Sequence, residues 1–316
     1  MLARNSRRKY EVLRYGGICM RYIDEPTVAS VLRMQDLIPV MRQAMIDFSQ
    51  GRIAQPTRRI FAVQPHGGFF GSMPAAGANA LGAKLVTFYP GNAEKNLHTH
   101  MAVIVLFRPQ TGEPMVMMDG RLITEMRTSA VTATYIDAVA APDVKTLAIL
   151  GAGTQGKSHI EALSHVREFE KIRIWNRTRA RAEKLAEDVG GKAMSCEEAV
   201  RDAEVVVVAT SATEPVLEGK WLRPGAKVAT VGWGGPDGGE ADAATMSHVV
   251  IVDSREGTLA DSGNIRRFNA EIYAELGEVL DGTRPVNPNA TVVFDSIGMA
   301  CQDITAATLV YDKLVA

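Results

Sequence analysis

The stretch Thr146-Leu-Ala-Ile-Leu-Gly-Ala-Gly-Thr-Gln-Gly156 decides the fold of this chain. An apolar run, typical of a buried strand, leads into a turn of the form G-x-G-x-x-G, and a predicted helix follows through Val166. In this setting the first glycine makes a tight turn, the second lets the backbone approach a pyrophosphate, and the third lets helix and strand pack closely. The first N–H groups of the helix then face the anion. The stretch predicts a Rossmann-type dinucleotide-binding unit. The residues expected at the cofactor are those of the turn: Gly151, Gly153, Thr154, Gln155 and Gly156.

The end of the second predicted strand, Ile172–Trp175, indicates which dinucleotide is bound. Enzymes that use NAD usually carry Asp or Glu there, which accepts hydrogen bonds from the ribose hydroxyls. Here the residues are Asn176, Arg177 and Thr178, so the carboxylate is missing and the planar fork of Arg177 can bind a 2′-phosphate. These three residues are candidate cofactor ligands, and the pattern favours NADP(H) over NAD(H). The alternative is that Arg177 and Arg179 are two solvated arginines at the start of a helix.

Strands and helices alternate through the middle of the chain, which is typical of a doubly wound parallel sheet. Glu204–Ala209 contains four consecutive valines, as expected for a strand buried on both faces. The other elements predicted here are the helix Arg179–Val189 and the strands Lys227–Val231 and Val249–Val252.

The two flanks of the chain have a different pattern. We expect the helix Met34–Gln50 to be the first regular element, because apolar residues recur in it at helical spacing. A helix that is apolar on all sides, Thr124–Ala141, is expected to be buried, and a last helix covers Ala300–Leu314. Between them, short apolar runs predict a mixed sheet with strands at Arg59–Val63, Phe69–Met73, Ala83–Phe88, Met101–Phe107 and Met115–Met118.

This order predicts an α/β protein in which a Rossmann doubly wound parallel sheet is inserted into a second α+β domain. The dinucleotide-binding domain would cover residues 142–294, and the domain for substrate binding and dimerisation would cover residues 1–141 plus 295–316. Residues 1–17 are basic and lack the apolar core of a secretory signal, so we expect a loose extension there.

The bulk composition excludes several classes of partner. The formal net charge is −1, so the chain has no general electrostatic attraction to nucleic acid or to an anionic membrane. No apolar stretch reaches the roughly 18 residues that a membrane span needs. The three cysteines are scattered, without a C-x-x-C pair, and are expected to be reduced thiols. We therefore expect a cytoplasmic protein with a small-molecule partner.

Three cationic residues stand out in the flanks. Lys84 lies in a predicted strand with two apolar faces, where a lysine is costly unless it is paired or lines a ligand cavity; an edge-strand lysine that reaches water is the alternative. Either Arg58 or Arg59 could point into the same cavity, and the sequence leaves this open. Arg127 lies in the first predicted turn of a helix, where the dipole disfavours a cation, so it is expected to meet an anion such as a phosphate. A surface arginine with a buried stem is the alternative.

Other reactive patterns are weak. His98 and His100 could point the same way on a strand, but no third ligand has suitable spacing, so we predict no metal. No nucleophile motif such as G-x-S-x-G is present. Ser296-Ile-Gly298 follows a short apolar run and precedes the last helix, which makes it a candidate loop for closing on a ligand.

From about Ile23 onwards the chain resembles the ornithine cyclodeaminase/mu-crystallin family, and most closely its mu-crystallin branch of NADPH-dependent ketimine reductases and thyroid-hormone binders. The matching stretches are Gln55-Pro-Thr-Arg58, Met73-Pro-Ala75, Ala83-Lys-Leu-Val-Thr-Phe-Tyr89, Met118-Asp-Gly120, Ile123-Thr-Glu-Met-Arg-Thr128, Ile149-Leu-Gly-Ala-Gly-Thr-Gln155, Ile174-Trp-Asn-Arg-Thr178, Ala212-Thr-Glu-Pro215, Ala270-Glu-Ile-Tyr-Ala-Glu-Leu-Gly-Glu278 and Ser296-Ile-Gly-Met-Ala300.

The resemblance implies roles for individual residues and a homodimer built from the non-Rossmann domain. Arg58 and Lys84 would hold the substrate carboxylate, with Lys84 also a candidate proton donor, and Ile297 would touch the substrate. The remaining implied roles concern the cofactor. Arg127 and Thr99 would contact the phosphates and the nicotinamide side of the cofactor. Thr210, Ser211 and Val231 would line the cofactor, and Ser296 would lie near the nicotinamide.

Two departures separate this chain from the cyclodeaminases of the family. They carry an Asp where this chain has Gly234, with Asp237 offset from that place, and an acid at the ribose position, where this chain has Asn176. We therefore expect an NADPH-dependent reductase of cyclic ketimines or imino acids, whose reverse reaction is amino-acid dehydrogenation. Two alternatives stay open: an ornithine cyclodeaminase with bound NAD, and a non-catalytic NADPH-dependent protein that binds a thyroid-hormone-like ligand.

Overall fold

A computed structural model describes residues 11–15, 18–235 and 237–315, and the chain forms two compact units. The first unit consists of Met1–Arg127 and Met299–Ala316, and the second of Thr128–Gly298. We had expected the boundaries after residue 141, where a proline ends the long helix, and before residue 295. In the structure most of that helix belongs to the second unit, where the Tyr135 hydroxyl donates to the carbonyl of Val292 at 2.9 Å.

Seven described strands form the sheet of the first unit, in the order β1-β2-β7-β6-β5-β4-β3. All neighbours are antiparallel except β2 and β7, so the predicted mixed sheet is confirmed. The strands are β1 (Glu11–Tyr15), β2 (Ile18–Ile23), β3 (Arg59–Val63), β4 (Gly68–Ala76), β5 (Leu81–Phe88), β6 (His100–Phe107) and β7 (Pro114–Asp119).

Two expectations about the start of the chain need correction. Residues 11–15 form a strand rather than a loose extension, while residues 1–10, 16 and 17 lie outside the described residues. The helix at Met34 is not the first regular element, because two strands and the short helix α1 (Glu25–Val31) precede it. The Asp24 side chain begins α1 by accepting a hydrogen bond from the Thr27 N–H at 3.0 Å.

Two long helices pack together beside this sheet, and the last one lies directly on its strands. The helix α2 (Met34–Ser49) buries Leu37, Met41 and Met45, which are spaced four residues apart on one face. The last helix, α11 (Ala300–Val315), packs against α2 and against β4, β5 and β6. A residue of β5 that points to this side therefore lies under α11, away from water.

The second unit is a sheet of eight described strands, all parallel, in the order β10-β9-β8-β11-β12-β15-β13-β14. The strands are β8 (Thr146–Leu150), β9 (Lys171–Trp175), β10 (Lys192–Ala193), β11 (Val205–Val208), β12 (Lys227–Thr230), β13 (Val249–Val252), β14 (Ile272–Glu275) and β15 (Val292–Asp295). The helices are α3 (Arg121–Val139), which begins in the first unit, α4 (Thr154–Ser164), α5 (Arg179–Val189), α6 (Cys196–Val200), α7 (Ala243–Met246), α8 (Arg255–Asp261), α9 (Gly263–Phe268) and α10 (Leu276–Leu280).

The strand order places the ligand crevice of this sheet. From β8 the chain first moves outwards to β9 and β10, and then returns to the other side of β8 with β11. Ligands of open parallel sheets bind outside the carboxyl ends of the strands at such a reversal. The four valines of β11 are fully buried, which confirms the predicted central strand. Within the described ranges, no helix has the length and apolar character needed to cross a bilayer.

Candidate functional site

The glycine turn of the second unit follows β8 and is shaped for an anion. Gly151 has φ +120°, and its N–H donates to the carbonyl of Trp175 at 2.8 Å. A Cβ on Gly156 would lie 1.9 Å from the Gly151 oxygen, so helix α4 can approach the turn only with glycine there. A Cβ on Gly153 would meet nothing within 4 Å. The space beside Gly153 is therefore open at the N-terminus of α4, where a pyrophosphate fits against unpaired N–H groups.

Two side chains at the end of β9 differ in role: Asn176 holds the local backbone, and Arg177 is exposed. The Asn176 side chain accepts from the Ala152 N–H at 3.1 Å and donates to the Thr178 carbonyl at 2.9 Å, which fixes the glycine turn against this strand end. Arg179 pairs with Glu183 at 2.8 Å. Arg177 is exposed and makes no hydrogen bond or ion pair with any described residue. This arginine is therefore free to bind a phosphate.

The other predicted cofactor residues of this unit lie at the same edge of the sheet. Thr210 and Ser211 follow β11, Val231 follows β12, and Ser296 follows β15. The Ser296 hydroxyl donates to the buried Asp253 carboxylate at 3.0 Å, and the same Asp253 oxygen accepts from the Gly298 N–H at 2.8 Å. Asp253, which the sequence reading missed, thus fixes the Ser296 loop, with the half-buried Ile297 in its middle.

In the first unit, three buried charges form one cluster around Asp303. Lys84 Nζ lies 2.7 Å from Asp303 Oδ2, and Arg127 Nε donates to Asp303 Oδ1 at 2.9 Å. Arg127 Nη1 also donates to Gln302 Oε1 at 2.6 Å. Lys84, Arg127 and Asp303 are 2%, 4% and 0% exposed, so water screens these interactions little.

The charges of this cluster do not balance. Burial lowers the pKa of Lys84 to about 8; the charges of Arg127 and Arg58 lower it too, while the Asp303 carboxylate raises it. Burial, with the Lys84 and Arg127 charges, lowers the pKa of His100 to about 4, so this imidazole is neutral at pH 7. At neutral pH Lys84, Arg127 and Asp303 therefore hold two cations and one carboxylate, and a second anion would be attracted to them.

Arg58 and Arg59 differ in their burial. Arg58 is half-buried and acts on Lys84, whereas Arg59 is exposed. The segment before Arg58 is anchored to the first turn of α11, because Gln55 Oε1 accepts from the Cys301 N–H at 2.8 Å. The stretch Gln55-Pro-Thr-Arg58 thus attaches the arginine to the helix that supplies Asp303.

The structure also bears on the expectations for Lys84 and Arg127, and the expected buried, paired Lys84 is confirmed. The reading of Lys84 as an edge-strand lysine is wrong, because β5 lies between β4 and β6 and the side chain is buried. Arg127 lies in the second turn of α3, since the helix begins at Arg121, and the anion that it meets is Asp303 of its own unit. Thr99 is half-buried directly before β6. The roles of Arg127 and Thr99 toward a cofactor stay predictions of the family resemblance.

The sequence reading missed Asp303 and Gln302, and their signal was faint. Both belong to the apolar helix α11, where a buried carboxylate and a buried amide are exceptional among small and aliphatic residues. Within the described part of the chain, no group of three His, Cys, Asp or Glu side chains could hold a metal ion.

A parallel sheet with this turn and this crevice defines a Rossmann dinucleotide-binding protein. The sequence profile of the ornithine cyclodeaminase/mu-crystallin family matches residues 23–316, and the chain belongs to this family.

Among similar proteins, the ketimine reductase mu-crystallin of Mus musculus is 44% identical over 286 residues, covering 88% of this chain and 91% of the relative. Among solved structures, the Thermococcus litoralis Δ1-pyrroline-2-carboxylate reductase in complex with NADH and L-proline has a TM-score of 0.88 and 32% identity, over 93% of this chain and 97% of that one. An archaeal alanine dehydrogenase dimer with bound NAD also has a TM-score of 0.88, with 26% identity, over 94% and 96% of the two chains.

Replacing Asp303 by Asn removes the charge that Lys84 and Arg127 share while keeping the shape of the side chain. We expect the pKa of Lys84 to fall further below 8, because the carboxylate raises it in the wild type. The folded state should lose about 3 kcal/mol, since two buried cations lose their partner. NMR titration of ¹³C-labelled lysine and urea unfolding measure the two effects. Asp137→Asn, which affects a half-exposed pair with Arg167, serves as the control. An unchanged pKa of Lys84 in the Asp303 variant would contradict the assignment.

Proposed function

We propose that this protein reduces C=N bonds next to a carboxylate, in cyclic ketimines or imino acids, with NADPH as the hydride donor. The observation that carries the proposal is the buried cluster of Lys84, Arg127 and Asp303, with Arg58 beside it, which holds more positive than negative charge. The relatives support the reaction class, because they include a ketimine reductase and a pyrroline-2-carboxylate reductase.

The first unit supplies the recognition of the substrate. Arg58 and Lys84 bind the carboxylate, since a second anion compensates the excess charge of the cluster. At pH 7 Lys84 keeps its proton, because its pKa is lowered only to about 8. The same value makes Nζ able to give a proton to the imine nitrogen near neutral pH. Lys84 therefore serves both in binding and as the candidate acid.

The second unit supplies the dinucleotide site. The turn Gly151–Gly156 binds the pyrophosphate, and the residues after β11, β12 and β15 line the rest of the cofactor. The bound nicotinamide dinucleotide supplies the hydride. Ser296, held by Asp253, orients the nicotinamide. Positioning of this kind contributes most of what the protein adds to a hydride transfer.

The geometry near Gly234 favours reduction over cyclodeamination. A Cβ on Gly234 would lie 2.2 Å from the Ala212 oxygen, so an Asp is not accommodated there without moving the backbone. Asp237 does not replace it, because its side chain is 89% exposed and faces Arg266 at 3.7 Å. The acid that the cyclodeaminases carry at this place therefore has no counterpart here.

The decisive assay follows NADPH absorbance with piperideine-2-carboxylate, pyrroline-2-carboxylate, and pyruvate plus ammonia. We expect turnover of at least one cyclic imine, and in Lys84→Ala a loss of about 100-fold or more in kcat/KM with NADPH binding retained. Turnover of none of them would refute the reductase. Ammonia release from ornithine without net cofactor turnover would identify a cyclodeaminase instead. Tight binding of a thyroid-hormone-like ligand, without turnover of any imine, would identify a binding protein.

The preference for NADPH rests on Arg177, which is exposed at the end of β9. Residues 176–178 at this strand end include neither Asp nor Glu. Arg177→Ala should weaken NADPH binding about tenfold, corresponding to about 1.4 kcal/mol of charge-assisted hydrogen bonding, and leave NADH binding unchanged. Fluorescence titration with both cofactors measures this. Arg201→Ala is the matched control, because Arg201 pairs with Glu197 shortly before the amino end of β11. Equal losses for NADPH and NADH would argue against a 2′-phosphate contact.

We also propose a homodimer, which is supported by the other face of the first sheet, opposite to Lys84. The cross-strand row Phe61–Phe70–Thr87–Met101 and the neighbouring Leu85 share this face, and Phe61, Met101 and Leu85 are 60%, 39% and 37% exposed. An apolar patch of this kind marks an interface. Met101→Glu should convert a dimer into a monomer in light scattering. Leu259→Glu, at an exposed leucine of the second unit, should leave the mass unchanged. A wild-type monomer would refute the dimer.

A further inference from the structure

The second unit contains a buried carboxyl group, that of Glu240, which the proposed chemistry does not use. Glu240 is 1% exposed. Its Oε1 accepts hydrogen bonds from the N–H and the hydroxyl of Thr210, both at 2.6 Å, and its Oε2 accepts from the Gly232 N–H at 2.7 Å. Thr210 follows β11 by two residues and Gly232 follows β12 by two. One side chain thus ties together the carboxyl ends of two neighbouring strands.

The position of Glu240 is itself fixed by a second buried group. Its N–H and the N–H of Ala241 donate to Asn264 Oδ1 at 2.9 and 3.2 Å. Asn264 Nδ2 donates to Asp295 Oδ1 at 2.7 Å, and the same oxygen accepts from the Thr230 hydroxyl at 2.7 Å. The carboxyl group is therefore held by the ends of β12 and β15 as well as by its own backbone.

The two strand ends approach each other closely at this point. A Cβ on Gly232 would lie 2.0 Å from the Thr210 oxygen and 2.4 Å from Glu240 Oε1. Glycine at position 232 allows the two backbones to come this close. Glu240 then accepts the hydrogen bonds of the buried N–H groups of Thr210 and Gly232. Without that acceptor the buried donors would cost free energy, and the two ends would separate to reach water.

We propose that Glu240 is a positioning residue of the dinucleotide site, which rests on the proposed function. Its carboxyl group sets the spacing of the ends of β11 and β12, where Thr210, Ser211 and Val231 line the cofactor. The substrate cluster of Lys84, Arg127 and Asp303 belongs to the other unit and does not include it. Loss of Glu240 therefore weakens the binding of the dinucleotide and leaves the KM of the imine substrate unchanged at saturating NADPH.

The chain offers a matched control at the opposite edge of the same sheet. Glu204 Oε2 accepts from the N–H groups of Lys145 and Thr146 at 2.6 and 2.9 Å, next to the amino ends of β8 and β11. Glu204→Ala and Glu240→Ala each leave two backbone N–H groups without their carboxylate. Both variants should lower the thermal stability, but only the variant at the carboxyl edge should affect cofactor binding.

Glu240→Gln is the conservative variant, which keeps the protein folded if the alanine variant does not fold. The Gln oxygen can still accept from Thr210, but its amide nitrogen has no lone pair for the Gly232 N–H. A carboxyl oxygen keeps such a lone pair whether or not the group is protonated. The Gln variant therefore loses only the bond to the end of β12.

The experiment titrates the wild type and the three variants with NADPH by fluorescence and measures their melting temperatures. Glu240→Gln should weaken NADPH binding about tenfold and Glu240→Ala more, whereas Glu204→Ala should change it by less than about twofold. Binding as in the wild type for both Glu240 variants would overturn the proposal, and so would an equal loss for Glu204→Ala. If the wild type binds NADPH but reduces no imine, the proposed reductase fails while the binding comparison still decides on Glu240.

Discussion

The carboxylate of Asp303, shared by Lys84 and Arg127, constrains the whole chain. Charges removed from water are tolerated only when partners neutralise them at short range, and here the partners lie in distant parts of the sequence. The last helix must therefore pack against β5 and the start of α3. The chain leaves the first unit at Arg127 and returns to it at Met299. The Rossmann unit is thus inserted between two segments of the first unit that meet at Asp303.

In the second unit, buried backbone groups likewise need partners. The carboxyl ends of parallel strands carry N–H groups that need acceptors, and side chains supply some of them: Asn176 to Ala152, Glu240 to Thr210 and Gly232, and Asp253 to Gly298. The turn beside Gly153 faces open space instead. The protein thus satisfies the donors that shape the crevice and leaves the first turn of α4 to an anion.

The sequence predicted those strands and helices whose residues show a clear local pattern of apolar and polar positions. The strands at Arg59, Thr146 and Val249 and the helix at Arg179 have the predicted bounds. Each strand is a short apolar run between polar or glycine neighbours, and Gly190 ends the helix. The strands β1 and β2 were missed, since their sequences mix arginine and tyrosine with apolar residues without regular alternation. Lys84 could be proposed as a site residue because a cation is conspicuous in an apolar strand, whereas Arg58 was distinguished from Arg59 only by the family resemblance. Asp303 and Glu240 could not, because each acquires its role only from residues that the fold brings to it.

The pKa of Lys84 links the architecture of the first unit to its chemistry. Burial and the charges of Arg127 and Arg58 pull the pKa down, whereas Asp303 holds it up, and the balance lies at about 8. A lysine buried with other cations and without Asp303 would lose its proton and could not hold a carboxylate. A lysine paired with Asp303 in water would keep its proton too firmly to release it near neutral pH. The last helix therefore does more than close the core, because the carboxylate that it carries also sets the charge of Lys84.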